Sequence, residues 1–132
     1  MIITLDKYLT SNGRHNNVIT EWSGEYEKNA LKTIALVSEF ASLAKYEIPD
    51  VTSGWRPSWL NRNVGGSTSS KHLFAQAIDV ADPDHVFNKW LCANVSLLRS
   101  RGCAIESPVA TPSWTHFQII VPPSGSIIFN PR

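Results

Sequence analysis

His72 and Asp79 are metal-competent side chains seven positions apart, in Ser70-Lys71-His72-Leu73-Phe74-Ala75-Gln76-Ala77-Ile78-Asp79. On a continuous helix that spacing keeps them on one face but ~10 Å apart. On a continuous strand it puts them on opposite faces and ~23 Å apart. Zinc–ligand distances are only ~2 Å, so neither geometry lets one ion touch both. The chain is therefore expected to turn at His72 and to enter a short strand at residues 77–81. A second histidine, His116, lies in residues 114–121, which alternate like a half-buried strand. Pairing the two strands could bring His72, Asp79 and His116 together. Two histidines and a carboxylate are a catalytic-type set for one zinc ion, because three protein ligands leave a position open for water.

Such a centre needs a general base. After Asp84 the only acidic residue is Glu106, ten positions before His116 across a loop that can fold back over the metal. A surface glutamate at a strand end is the plainer alternative, and Glu47 and Asp50 are weaker candidates for the base. Arg56 is the expected carboxylate anchor, since a guanidinium can grip a carboxylate with two parallel hydrogen bonds. Near the metal it could instead hold charge developing on the attacked carbonyl, or simply face solvent. Ser70 can bond substrate or cap the turn. Asp84 and His85 need no metal to explain them, because acids in a first helical turn answer the helix dipole.

The elements that position these groups follow from pattern. Residues up to about Gly24 read as loop, with a turn at residues 11–13. A helix is expected over residues 25–45, with Leu31, Ile34, Ala35, Ser38, Phe40, Ala41 and Leu43 on its buried face. Glu25 and Glu27 suit its start and Lys45 its end. Residues 51–70 read as connection carrying Trp55, Arg56 and Trp59, with paired glycines at Gly65 and Gly66. Asp82 is expected as an N-cap with Pro83 in the first helical position. That helix buries Phe87, Trp90, Leu91, Val95, Leu97 and Leu98 and ends at Gly102. Strands are expected at residues 103–106, 114–121 and 127–129.

A chain of 132 residues suggests one domain, spanning 1–132, with core enough to fold without staples. A 42% hydrophobic share and five tryptophans argue against disorder. Net charge is +1 with no dense basic run, which argues against nucleic-acid binding. No apolar run reaches the ~18 residues of a membrane span. The N-terminus has no basic start and acids follow early, so no signal peptide is expected. Cys92 and Cys103 read as buried reduced thiols.

Taken together, the motifs resemble the zinc D-alanyl-D-alanine carboxypeptidase family, with its hedgehog-like peptidase fold. That family carries Ser-x-His-x-x-Gly-x-Ala-x-Asp and a later Trp-x-His, matched here by Ser70, His72, Ala77, Asp79, Trp114 and His116. Ser53-Gly54-Trp55-Arg56-Pro57, with Asn61, Gly65 and Gly66, resembles the family's Ser-Gly-aromatic-Arg loop. Ser124-Gly125, Phe129 and Pro131 are similar to the end of small phage-encoded members. The resemblance implies His72, Asp79 and His116 as zinc ligands, Glu106 as base, and Arg56 and Ser70 as substrate contacts. It also implies a peptidoglycan stem-peptide substrate and an α+β fold, helices packed around an antiparallel sheet that carries the metal. Ala75 stands where the motif has glycine, and Ser113 where some relatives place the catalytic glutamate. A monomer is expected, made in the cytoplasm and acting on the bacterial wall after release, as a phage lysis enzyme or virion component. The competing reading is a phage structural or wall-binding module that keeps the fold without catalysis.

Overall fold

The computed structural model describes residues 1–11, 22–57, 61–62, 65 and 70–131. Trp59, Gly66 and the glycine of the 11–13 turn lie outside them.

Helix α1, Leu5–Thr10, occupies part of the segment expected as loop. Thr4 caps it by accepting from the Lys7 N–H. Its sequence is too short for periodicity to register, but Tyr8 is wholly buried and its hydroxyl donates to the Ala77 carbonyl at 2.8 Å. Helix α2, Gly24–Ala44, matches the expected bounds within a residue. Ser23 caps its start, and Lys45, in the left-handed region with φ 55°, closes its end.

The buried face of α2 differs from expectation. Ala30, Thr33, Leu36, Val37, Phe40 and Ala41 point inward, while Leu31 and Leu43 are about half exposed. The reason is close approach. Small Ala30 and Thr33 let the helix backbone reach the segment that carries His72. Asn29 donates to the Phe74 carbonyl and Thr33 to that of Ala75, each at 3.0 Å.

Among the described residues the five strands are β1 (Val51–Ser53), β2 (Ala77–Ala81), β3 (Ala104–Glu106), β4 (Trp114–Gln118) and β5 (Ile128–Phe129), in the order β1-β2-β4-β3-β5. β1 was expected as connection; at three residues it is too short for alternation to reveal. All pairings are antiparallel except β3 with β5, so the sheet is mixed. β4 ends at Gln118 rather than at residue 121: the Ile119 N–H still bonds the Gln76 carbonyl opposite it, and the chain bends at residues 119–120. Ile78, Val80, Ile105 and Phe117 form the core face, covered by α2, with Phe40 5.4 Å from Phe117 ring to ring.

Asp82 is not an N-cap with Pro83 as the first helical residue. Pro83 and Asp84 form a turn, His85 adopts φ 57°, and α3 spans Val86–Ala93. The buried Asp82 carboxylate still serves the helix, accepting from the Phe87 and Asn88 N–H groups and from the Thr115 hydroxyl. The expected single helix breaks at Asn94, and α4 spans Val95–Ser100. Gly102 follows at φ 70°. The whole is a single compact α+β unit, helices packed on a mixed sheet. No helix among the described residues is long and apolar enough to cross a membrane.

Candidate metal centre and active site

Register alone places most of the site. Ser53 pairs with Asp79, Asp79 with His116, and Glu106 with Phe129. Ile105 pairs with Phe117, so the next rung sets Glu106 opposite His116. One rung across β2, β4, β3 and β5 therefore reads Asp79, His116, Glu106, Phe129, on the face away from the α2 core, and on β1 Ser53 pairs with Asp79 past an irregularity between Val51 and Ser53. Asp79 and His116 meet because β2 and β4 pair in this register. A slip of one residue between the two strands would leave them on opposite faces.

His72 arrives from outside the sheet. Lys71–Phe74 form a single 3-10 turn, capped by the Ser70 hydroxyl accepting from the His72 N–H. The chain leaves it through Ala75 at φ 58°, a left-handed conformation that costs a residue with a Cβ roughly 1–2 kcal/mol. The methyl group is fully buried there. The turn that the seven-residue spacing demanded is thus built without the family's glycine.

The histidine rings are oriented by unlike acceptors. His72 Nδ1–H donates to the Gly54 carbonyl at 2.8 Å, which leaves Nε2 bare. That Nε2 is buried, forms no hydrogen bond, and stands 3.3 Å from Asp79 Oδ1. On His116, Nε2–H donates to Gln118 Oε1 at 2.8 Å, and Nδ1 lies 2.9 Å from Asp79 Oδ1. One donor atom from each of His72, Asp79 and His116 lies within 4.8 Å of the others. Two imidazole nitrogens and a carboxylate oxygen, converging around a buried nitrogen that lacks a partner, suit a divalent cation of the zinc type.

Electrostatics agree with that arrangement. Burial alone would raise the Asp79 pKa, but His72 and His116 overcome it and hold the carboxyl well below its ordinary range. Burial lowers the His72 pKa, although Asp79 opposes it. At His116 burial is outweighed by Asp79, Glu106 and Gln118, and the pKa rises.

Glu106 Oε2 lies 3.7 Å from His116 Nδ1, at the edge of this group. Burial raises its pKa; His116 and Arg56 oppose the shift, while Asp79 adds to it. Arg56 is half-buried, with Asp79 and Glu106 near enough to counter the lowering that burial imposes on its pKa. Its backbone N–H donates to the His72 carbonyl at 3.1 Å, and Nη2 donates to Ser70 Oγ at 3.4 Å. Its Nε is buried without a partner. Arg56 therefore does not face open solvent, and Ser70 caps the turn while touching Arg56. Glu47 is exposed and pairs with the N-terminal ammonium; Asp50 is taken by Lys7 at 2.8 Å and by the Val51 N–H. His85 is bonded to the Thr111 carbonyl at 2.6 Å, and neither it nor Asp84 joins the metal-competent group. Cys92 and Cys103 are both free thiols.

Two contributors escaped the sequence reading. The Gly54 carbonyl could not have been found, because a backbone acceptor leaves no residue-type signal. Gln118 could have been: His-x-Gln on a strand puts both side chains on one face.

The family model described as Peptidase M15 matches residues 8–117, a span that holds Arg56, His72, Asp79, Glu106 and His116. No curated protein matches the chain. M15 peptidases are metal-dependent, and a match over most of the sequence shows the family. The chain belongs to the M15 peptidases, a family of metallopeptidases acting on peptide substrates.

Proposed function

We propose that residues 1–132 form one zinc peptidase domain that hydrolyses peptidoglycan stem peptides, as a D-Ala-D-Ala carboxypeptidase or a related endopeptidase. The observation that carries this reading is the buried, unpartnered Nε2 of His72 facing Asp79 and His116 in an M15 chain. An imidazole nitrogen sunk in protein with no donor is costly, and a cation in this cluster relieves the cost. The substrate class rests on the Ser70–Asp79 and Trp114–His116 motifs and their likeness to the D-Ala-D-Ala carboxypeptidases.

His72, Asp79 and His116 would hold one zinc ion. Bound there, zinc supplies Lewis acidity, lowering the pKa of water and polarising the scissile carbonyl. Glu106 takes the proton from the attacking water as its oxygen bonds the carbonyl carbon. It then gives that proton to the departing amine nitrogen as the C–N bond breaks, leaving a new carboxylate and a free amine. A carboxyl with a raised pKa suits both halves of that exchange. Arg56, with its buried Nε unpaired, grips a substrate carboxylate or the charge on the attacked oxygen. Ser70 holds the Arg56 fork and offers its hydroxyl to the peptide.

The protein would work as a monomer on the bacterial wall, and the likeness to small phage-encoded members favours a phage lysis enzyme or virion component. Elemental analysis paired with mass spectrometry of muropeptides after digestion of purified peptidoglycan tests the proposal. One zinc per chain and loss of a terminal D-alanine identify a carboxypeptidase. Cleavage within stems or cross-links identifies an endopeptidase. Wall binding with intact muropeptides would mean a module without catalysis and would overturn the proposal.

A further inference from the structure

Either nitrogen of an imidazole can ligate a metal, and the two histidines here present opposite ones. His72 turns Nε2 inward because Nδ1–H is held by a backbone carbonyl. His116 turns Nδ1 inward, and among the described residues its outer Nε2 meets a side chain, Gln118 Oε1. We infer that Gln118 is a positioning residue that fixes His116 as the Nε2–H tautomer and thereby assigns Nδ1 to the metal. The inference rests on the reading of His72, Asp79 and His116 as zinc ligands.

Three observations make the Gln118 amide an acceptor of fixed direction. Its own Nε2–H donates to the Ile120 carbonyl at 2.7 Å, so the amide cannot turn over without setting its NH2 against His116 and its oxygen against another oxygen. Its rung neighbours on both sides, Ala77 and Ala104, are alanines, which leave the amide room to lie along the sheet face toward His116. Gln118 is 3% exposed, so water does not compete for Oε1. A carbonyl-type oxygen only accepts, and the nitrogen it faces must therefore carry the hydrogen. Were the His116 ring flipped, Gln118 Oε1 would lose its donor and Asp79 would face carbon instead of Nδ1. Glutamine does here what a carboxylate or carbonyl does behind other metal-bound histidines.

The test compares Gln118→Met, which keeps length and removes the acceptor, with Gln118→Glu, which keeps an acceptor. Zinc dissociation constants come from competition with a chromophoric chelator at fixed pH. Gln118→Met is expected to bind zinc about 10–100-fold more weakly, while Gln118→Glu matches the wild type or exceeds it. Wild-type affinity in Gln118→Met, or equal losses in both variants, would overturn the inference. Long-range 1H–15N NMR of the zinc-loaded wild type should show hydrogen on His116 Nε2 and none on Nδ1. Hydrogen on Nδ1 with zinc bound overturns the inference whether or not the Met variant folds. The zinc reading fails separately, if the wild type binds zinc no better than His72→Ala.

Discussion

Gly54→Ala ought to damage the metal site without touching a ligand. Gly54 lies beneath helix α1, and a Cβ built on it falls inside contact distance of the Tyr8 backbone carbonyl, with the Tyr8 ring also close. Backbone cannot rotate away as a side-chain tip can, so either α1 or Gly54 must shift. Overpacking of this kind costs roughly 1–3 kcal/mol, which for a chain of this size lowers Tm by about 4–11 °C. The shift also moves the carbonyl that holds His72 Nδ1 at 2.8 Å. Losing such an orienting acceptor weakens metal binding by about 10–100-fold. Thermal melts of metal-free protein measure the first effect, and chelator competition measures the second. Gly24→Ala is the matched control: it opens α2 with nothing within 4 Å and no left-handed φ, and is expected to gain about 0.4–1 kcal/mol. If Gly54→Ala melts lower yet binds zinc as the wild type does, the Gly54 carbonyl does not orient His72. If it does neither, the close packing of α1 on the site loop is wrong.

Glu106→Gln keeps the shape of the side chain but cannot accept a proton, so turnover should fall by ~100- to 10,000-fold with zinc retained. Glu47→Gln and Asp50→Asn should stay near the wild type, and zinc-replete Glu106→Gln with unchanged turnover would move the base elsewhere. Arg56→Lys should lower kcat/KM on peptides ending in a free carboxylate more than on their amides, because an ammonium lacks the bidentate fork; equal losses would assign Arg56 to the transition state or to structure. Asp79, with its folded pKa depressed, contributes stability to the metal-free protein that is complete above its unfolded value of about 3.9 and is lost as pH falls toward the folded value. Urea melts between neutral and acid pH should show that loss, and Asp79→Asn should flatten it; an equal slope in the variant would place the acid sensitivity in other carboxyls.

What the sequence made legible depended on whether a spacing excluded alternatives. The seven-position spacing from His72 to Asp79 fits neither helix nor strand, so the turn at residues 71–75 could be required before it was seen. Strand β2 at residues 77–81 followed from the same argument. Alternation found β4, and its pairing with β2 brought Asp79 opposite His116. Short elements escaped for the complementary reason. Six residues of α1 and three of β1 hold fewer than two periods of their patterns, and their order comes from tertiary contacts such as Tyr8 to Ala77. The face of α2 was misjudged because hydrophobicity marks burial but not proximity. Where Thr33 must reach a carbonyl, a small polar residue displaces leucine from the inside.

The same distinction separates the parts of the site. Ligand-type residues announce themselves by chemistry, whereas the groups that aim them are often generic. Glu106 was found because it is the only acid after Asp84, yet its place beside His116 depends on β3 pairing with β4. Ser53 and Phe129 share that rung and carry no residue-type signal at all. Ser53 Oγ is buried with no hydrogen-bond partner next to Asp79 in the rung, while Phe129 stands edge-on to His116 at 6.1 Å. Phe129 bounds the histidine and the carboxylates at one end of the rung, and at the other Ser53 follows an irregularity in β1. The sheet supplies that boundary through register, and register is a property of strand pairs rather than of any one segment. A motif read along the chain therefore yields the candidate ligands, and only the pairing of strands sets them beside one another.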